Sequence, residues 1–321
     1  MRPPVRPSGP RAGARAHPRR PFSAAHRPVL TPRTRAGWHS GPMADTTRSR
    51  GLDAQGYLAR EGSLGQIPHA FRPVVAAARD RLLDAFGARL HSAYLYGSVP
   101  RGTARAGHSD LDLLVALHDE PGAPDRTQVD ALGDALDKQY PQIDGVGTIL
   151  VGRARVLSEG ERHDLGWFVA CLCTPLLGED LAEYLPRYRP DALLARETNG
   201  DLGRRLPRWR ERIAAADVTQ EALRPLVRSL SRHLVRTGFT LVMPRWNGWT
   251  SDLHEMAEAF GGYYPERAAP MREAAAYGLE PSGDPAGLRA VLDSYVDDLG
   301  PWLAREYARV HGEKAARQEL P

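Results

Sequence analysis

Two aspartates, Asp110 and Asp112, stand two residues apart at the start of an apolar run that continues to Leu117. In an extended strand that spacing sends both carboxylates to the same side. Adjacent carboxylates repel, and one is driven toward protonation unless a cation sits between them. Oxygen donors of this kind suit Mg²⁺, which completes its octahedron with water and substrate phosphates. Upstream, with eleven residues between Ser98 and Asp110, Gly97-Ser98 closes a second short apolar run. A glycine there lets backbone N–H groups approach a phosphate, and the Ser98 hydroxyl adds a donor. Pro100 fits the first turn of a short helix whose N-terminus favours anions, and Arg101 adds a planar cationic fork. Each piece alone is weak; together they describe a triphosphate cradle facing a divalent-metal site.

These side chains need a scaffold, and the flanking periodicities supply one. Residues 67–90 read as a helix with Phe71, Val74, Val75, Ala78, Leu82, Leu83 and Phe86 near 3.6 spacing. Strands follow at 92–96, at 111–117 (apolar on both faces except Asp112) and at 142–151, with a helix at 127–140 between the last two. Residues 162–177 read as one apolar helix ending at Gly178. The alternation predicts a small α/β domain over 60–188. From 189 to 321 strand signals vanish, and helical spacing at 202–215, 219–243, 251–260, 265–277 and 285–311 predicts an all-α bundle.

The pattern Tyr96-Gly97-Ser98, a spacer, then Asp110-Leu111-Asp112-Leu113 resembles the nucleotidyltransferase superfamily with the DNA polymerase β-like catalytic core. Leu176 to Leu181 resembles the segment that closes the catalytic domain in this family, and Leu226 to Leu241, Trp249 to Leu253 and Tyr264-Pro265-Glu266 are similar to the helical domain of aminoglycoside adenylyltransferases. The resemblance implies a small mixed sheet with flanking helices, ATP as co-substrate, two Mg²⁺ ions, and transfer of AMP to a hydroxyl-bearing acceptor with release of pyrophosphate. It implies metal ligation by Asp110 and Asp112, nucleotide contacts by Gly97, Ser98, Arg101 and Arg236, and a third carboxylate on a neighbouring strand. Asp144 is the best-placed candidate, to hold a metal or deprotonate the acceptor. Where relatives carry a Lys or Arg before the Asp of the second helical motif, this chain has Ser251. A protein-modifying, antitoxin-like relative and a catalytically silent nucleotide-binding module are the alternatives.

Charge first points elsewhere, since the chain has a net +4 and a pI near 9.2. Residues 1–42, however, hold nine arginines, nine prolines and no acid, leaving 34 basic against 39 acidic residues in the rest. That leader reads as disordered or mis-assigned ahead of Met43, and the acidic remainder argues against a nucleic-acid partner. No run approaches a membrane span, and Cys171 and Cys173 cannot staple 321 residues, which suits a reducing cytoplasm. Those cysteines read as buried thiols, His108 as a solvent-facing loop residue, and Trp246 and Trp249 as packing anchors. Arg228, Arg232 and Arg236, at i, i+4 and i+8, share one helix face, as either a solvated stripe or a nucleotide contact.

Overall fold

The computed structural model describes residues 50–314. The expected leader, 1–42, lies outside the described residues. Helix α1, Arg72–Phe86, places Pro73 in its first turn, where a missing N–H costs nothing, and buries Val74, Val75, Ala78, Leu82 and Phe86. It is shorter than the predicted 67–90. Residues 64–66 and 69–71 form 3₁₀ turns before it, Gly87 terminates it, and Leu90 already belongs to a strand. Strands β1 (Leu90–Tyr96) and β2 (Ser109–Leu117) pair antiparallel, with Tyr96 opposite Asp112. Helix α2, Ala123–Gln139, then crosses over so that β3, Ile143–Gly152, runs parallel to β2, with Gly147 beside Asp112.

The predicted helix at 162–177 is two elements. After a short α3 (Arg153–Val156), helix α4 spans Leu165–Leu172 and strand β4 spans Thr174–Gly178. Cys173 turns the backbone extended (φ −108°, ψ 133°). Pro175 explains the break: inside a helix it would remove a hydrogen bond and clash with the preceding turn. In β4 it is tolerated because the sheet order is β3-β2-β1-β4, which puts β4 on an edge. A run apolar on every face carries no period to separate helix from strand.

Seven helices follow: α5 (Ala192–Asn199), α6 (Leu202–Ala214), α7 (Gln220–Trp246), α8 (Leu253–Gly261), α9 (Ala268–Leu279), α10 (Pro285–Ser294) and α11 (Gly300–His311), the last two joined by a π-helical turn. Helix α5 was not expected from the sequence. At 27 residues α7 is roughly 40 Å long. It is capped by Thr219 Oγ1, which accepts from Ala222 N, and it ends at a left-handed Asn247. Its buried face (Leu223, Val227, Leu230, Leu234, Phe239, Leu241) is the centre of the helical core. No helix among the described residues is long and apolar enough to cross a membrane.

Three apolar clusters hold the chain together. One lies between the sheet and α1 and α2; a smaller one covers the other sheet face with Tyr94, Leu114, Val151 and Val169. The third fills the helical region. Helix α4 joins the last two, since Trp167 and Cys171 pack into the helical core while Val169 faces the sheet. The segment at 58–63 adds a strap across the molecule. Leu58 N donates to Tyr188 O, the Arg60 guanidinium pairs with Asp180, Glu61 N donates to Cys171 O, and Ser63 N donates to Pro100 O.

Candidate active site

The site begins with β2. Alternation along the strand points Leu111 and Leu113 into the core under α1 and α2, which leaves Asp110 and Asp112 on the opposite face. Asp112 lies against the turn that follows β1. Gly97 has φ +79°, a conformation L side chains rarely adopt, and a Cβ there would collide with Asp112 Oδ2. Glycine is therefore required twice, by the turn and by the carboxylate. The turn itself corrects one expectation: residues 97–102 form successive turns, not a helix, with Gly102 N donating to Val99 O and Thr103 N to Ser98 O. No helix N-terminus faces the acids from Pro100.

Burial raises the Asp112 carboxyl to a pKa of about 7, with the Asp110 charge adding to it. Arg232, Arg236 and Arg101 oppose that rise and do not overcome it. The neighbouring Tyr96 hydroxyl is pushed upward by burial and then by Asp112. Two carboxylates that cannot both ionise comfortably are a donor set suited to a divalent cation. Among the described residues, no group of three or more His, Cys, Asp or Glu side chains is arranged to hold a metal. The donors are thus a pair, which fits an ion that takes its remaining ligands from water and phosphate.

A cationic wall faces the pair. Arg232 is lowered to about 9, by burial first and then by Arg228 and Arg236, while Asp110 and Asp112 pull it back up. Burial likewise lowers Arg236, which lies among Arg101, Asp112, Tyr96 and Glu61. Arg101 donates from Nε to Gly97 O at 2.9 Å and pairs with Glu61 at 3.6 Å, so it is tied to both the turn and the strap. The arginine stripe of α7 is therefore no solvated face.

Glu61 is the residue that sequence reasoning missed. Burial raises its pKa, and Ser251, Arg101 and Arg236 lower it, which places it among the site's charges. It belongs to no motif, and only the strap's path brings it here, with Gly62 packed against Pro100 O. Ser251 faces Glu61 where a cation was expected. Asp144 sits across the sheet from Asp110. The pairings Ser109–Ile143 and Leu111–Val146 leave Asp144 and Gly145 together opposite Asp110, a bulge made possible by Gly145 at φ +118°. Asp144 is exposed, and the β3 neighbour of Asp112 is Gly147. His108 is exposed, both cysteines are buried and free, and Trp249 packs edge-on against Trp167 and Phe239.

Residues 76–152 match the family model of the nucleotidyltransferase domain. A comparison with curated protein sequences finds no significant match. Among solved structures, the chain is similar to spectinomycin adenyltransferase AAD(9) from Enterococcus faecialis with ATP and spectinomycin, at 14% identity and a TM-score of 0.47, over 73% of this chain and 98% of that one. The matched segment contains the glycine turn, both strand-borne carboxylates and Asp144. Residues 76–152 are thus a nucleotidyltransferase domain.

Proposed function

We propose that this enzyme transfers a nucleoside monophosphate, AMP from ATP, to a hydroxyl of a small molecule and releases pyrophosphate. The observation that carries the reading is the Asp110–Asp112 pair, packed against the Gly97 turn and faced by Arg101, Arg232 and Arg236. Asp110 and Asp112 would hold Mg²⁺, which when bound supplies Lewis-acid neutralisation of phosphate oxygens. The backbone of Gly97 and Ser98 would cradle the phosphates, while Arg101 and Arg236 offset the charge that builds on the departing pyrophosphate. The acceptor oxygen bonds to the α-phosphorus, the bond to the bridging oxygen breaks, and pyrophosphate leaves with that electron pair. Asp144, exposed beside Asp110, would take the hydroxyl proton. A small acceptor would enter between the acid pair of β2 and the arginines of α7, and the buried thiols fit a reducing, cytoplasmic setting.

The test is transfer of label from α-labelled ATP with Mg²⁺ and a panel of polyols. Asp112→Ala should cost turnover on the order of 10²-fold or more, the scale of removing one electrostatic contact in the transition state. Equal transfer without Asp112 would sink the assignment.

A further inference from the structure

The arginines of the site rest on unequal supports. Arg232 and Arg236 project from α7, a continuous 27-residue helix, and Arg232 Nε donates to Gly278 O at 2.7 Å. Arg101 instead projects from the irregular turn at 97–102, and its side chain is 30% exposed. Among the described residues its one hydrogen bond runs from Nε to Gly97 O at 2.9 Å. A guanidinium held at one point can swivel about that contact, and an unfixed arginine gives up rotamer freedom when it binds a phosphate.

Glu61 supplies the second point. Its Oε2 lies 3.6 Å from Arg101 Nη1, and a planar group held through two of its nitrogens has a fixed plane. The strap around Glu61 is itself pinned on both sides. Arg60 forks onto Asp180 at 2.6 and 3.1 Å, Glu61 N donates to Cys171 O at 2.8 Å, and Ser63 N donates to Pro100 O at 2.9 Å. A Cβ on Gly62 would lie 2.7 Å from Pro100 O, so strap and turn touch directly. Arg101 Nη2 has no partner among the described residues and is the nitrogen left to donate to a phosphate on the Gly97-Ser98 turn. Charge alone gives Glu61 no such use. A carboxylate beside the site opposes a bound triphosphate, so it costs affinity unless it acts through Arg101.

Resting on the nucleotidyl-transfer reading, we propose that Glu61 is a positioning residue, which holds the Arg101 guanidinium against the phosphate turn so that Nη2 meets the triphosphate of the bound nucleotide. Calorimetric titration of the whole chain with Mg²⁺ and α,β-methylene-ATP, which cannot be turned over, separates holding from charge. Glu61→Asp keeps the charge and withdraws the carboxylate by one carbon, so binding should weaken about 3- to 10-fold, the scale of immobilising one long side chain. Glu61→Gln removes the ion pair and should weaken binding by a similar factor, whereas relief of repulsion alone would tighten it. In an Arg101→Gln background neither substitution at position 61 should weaken binding further, because the group it positions is gone. A merely structural role would weaken binding equally in both backgrounds, and that result overturns the proposal. So does a nucleotide affinity that is unchanged or improved in Glu61→Asp or Glu61→Gln. A parent protein that does not bind the ATP analogue overturns the nucleotidyl-transfer reading, and the proposal with it.

Discussion

The two sides of the site are built on different principles. On the sheet side, Asp110 and Asp112 are fixed by backbone register: Asp112 is opposite Tyr96, beside Gly147, and pressed against a turn that admits only glycine. On the helix side, Arg228, Arg232 and Arg236 project from successive turns of α7 on long, adaptable side chains, with Arg232 anchored by Nε donating to Gly278 O at 2.7 Å. The first wall has essentially no slack, whereas the second has reach. Catalysis by positioning tolerates little displacement of the groups around the reacting atoms, and the rigid wall is the one that carries the carboxylates.

That contrast can be broken most decisively at Gly97. Gly97→Ala imposes the positive-φ strain and drives a methyl group into Asp112, so turnover should fall on the order of 10²-fold, as for loss of the carboxylate itself. Gly107→Ala is the control. It has the same sign of φ (+72°) but open space around it, and should lose about 1 kcal/mol of stability, read by urea denaturation, with turnover intact. Equal activity loss in both variants would mean that strain, not the carboxylate contact, explains Gly97.

The helix wall should yield more gradually. Arg232→Gln removes the first of the cations that hold Asp112 down, so in metal-free protein the Asp112 titration should move above its pKa of about 7. Carboxyl-carbon NMR reads this directly, and an unmoved midpoint would take Arg232 off the wall. The smallest effect compares the acid site with the helical core, where burial lowers His233 to about 3 from an ordinary 6.5. Native Asp112 keeps its proton up to about 7, while the unfolded chain releases it near 3.8, so this group's stabilisation is lost as pH rises through that window. Unfolded His233 binds a proton that the native state refuses, so its effect has the opposite sign between about 3 and 6.5. Asp112→Asn removes only the first effect. Its stability in chelator should therefore climb with pH more steeply than the parent's between pH 4 and 6.5; identical slopes would count against the perturbed Asp112.

The same contrast accounts for what was legible in the sequence. A strand fixes side-chain direction residue by residue, so Asp-x-Asp after Gly-Ser already described one face of the site. The arginine stripe was visible as a stripe, but a helix face has no stated partner until the chain folds, and its apposition to the acids is a tertiary fact. Strand β4 was hidden because Leu165 to Gly178 is apolar on every face, with Pro175 the one clue to a break. The turn at 97–102 read as a helix start because proline suits that position, yet no helical run follows it to make the nucleus worthwhile. Glu61 could not be found at all, because its place depends on a strap held by four separate backbone and side-chain contacts.

That strap bears on where the working unit can be cut. Residues 76–152 look like a portable module, yet the phosphate turn within them is propped from outside: Ser63 N holds Pro100 O, and Glu61 braces Arg101. A chain shortened to Arg72 would retain every signature residue and lose the buttress of the turn. For transplanting or shuffling this catalytic unit, the natural seam lies upstream of Leu58, and the recognisable motif marks only its interior.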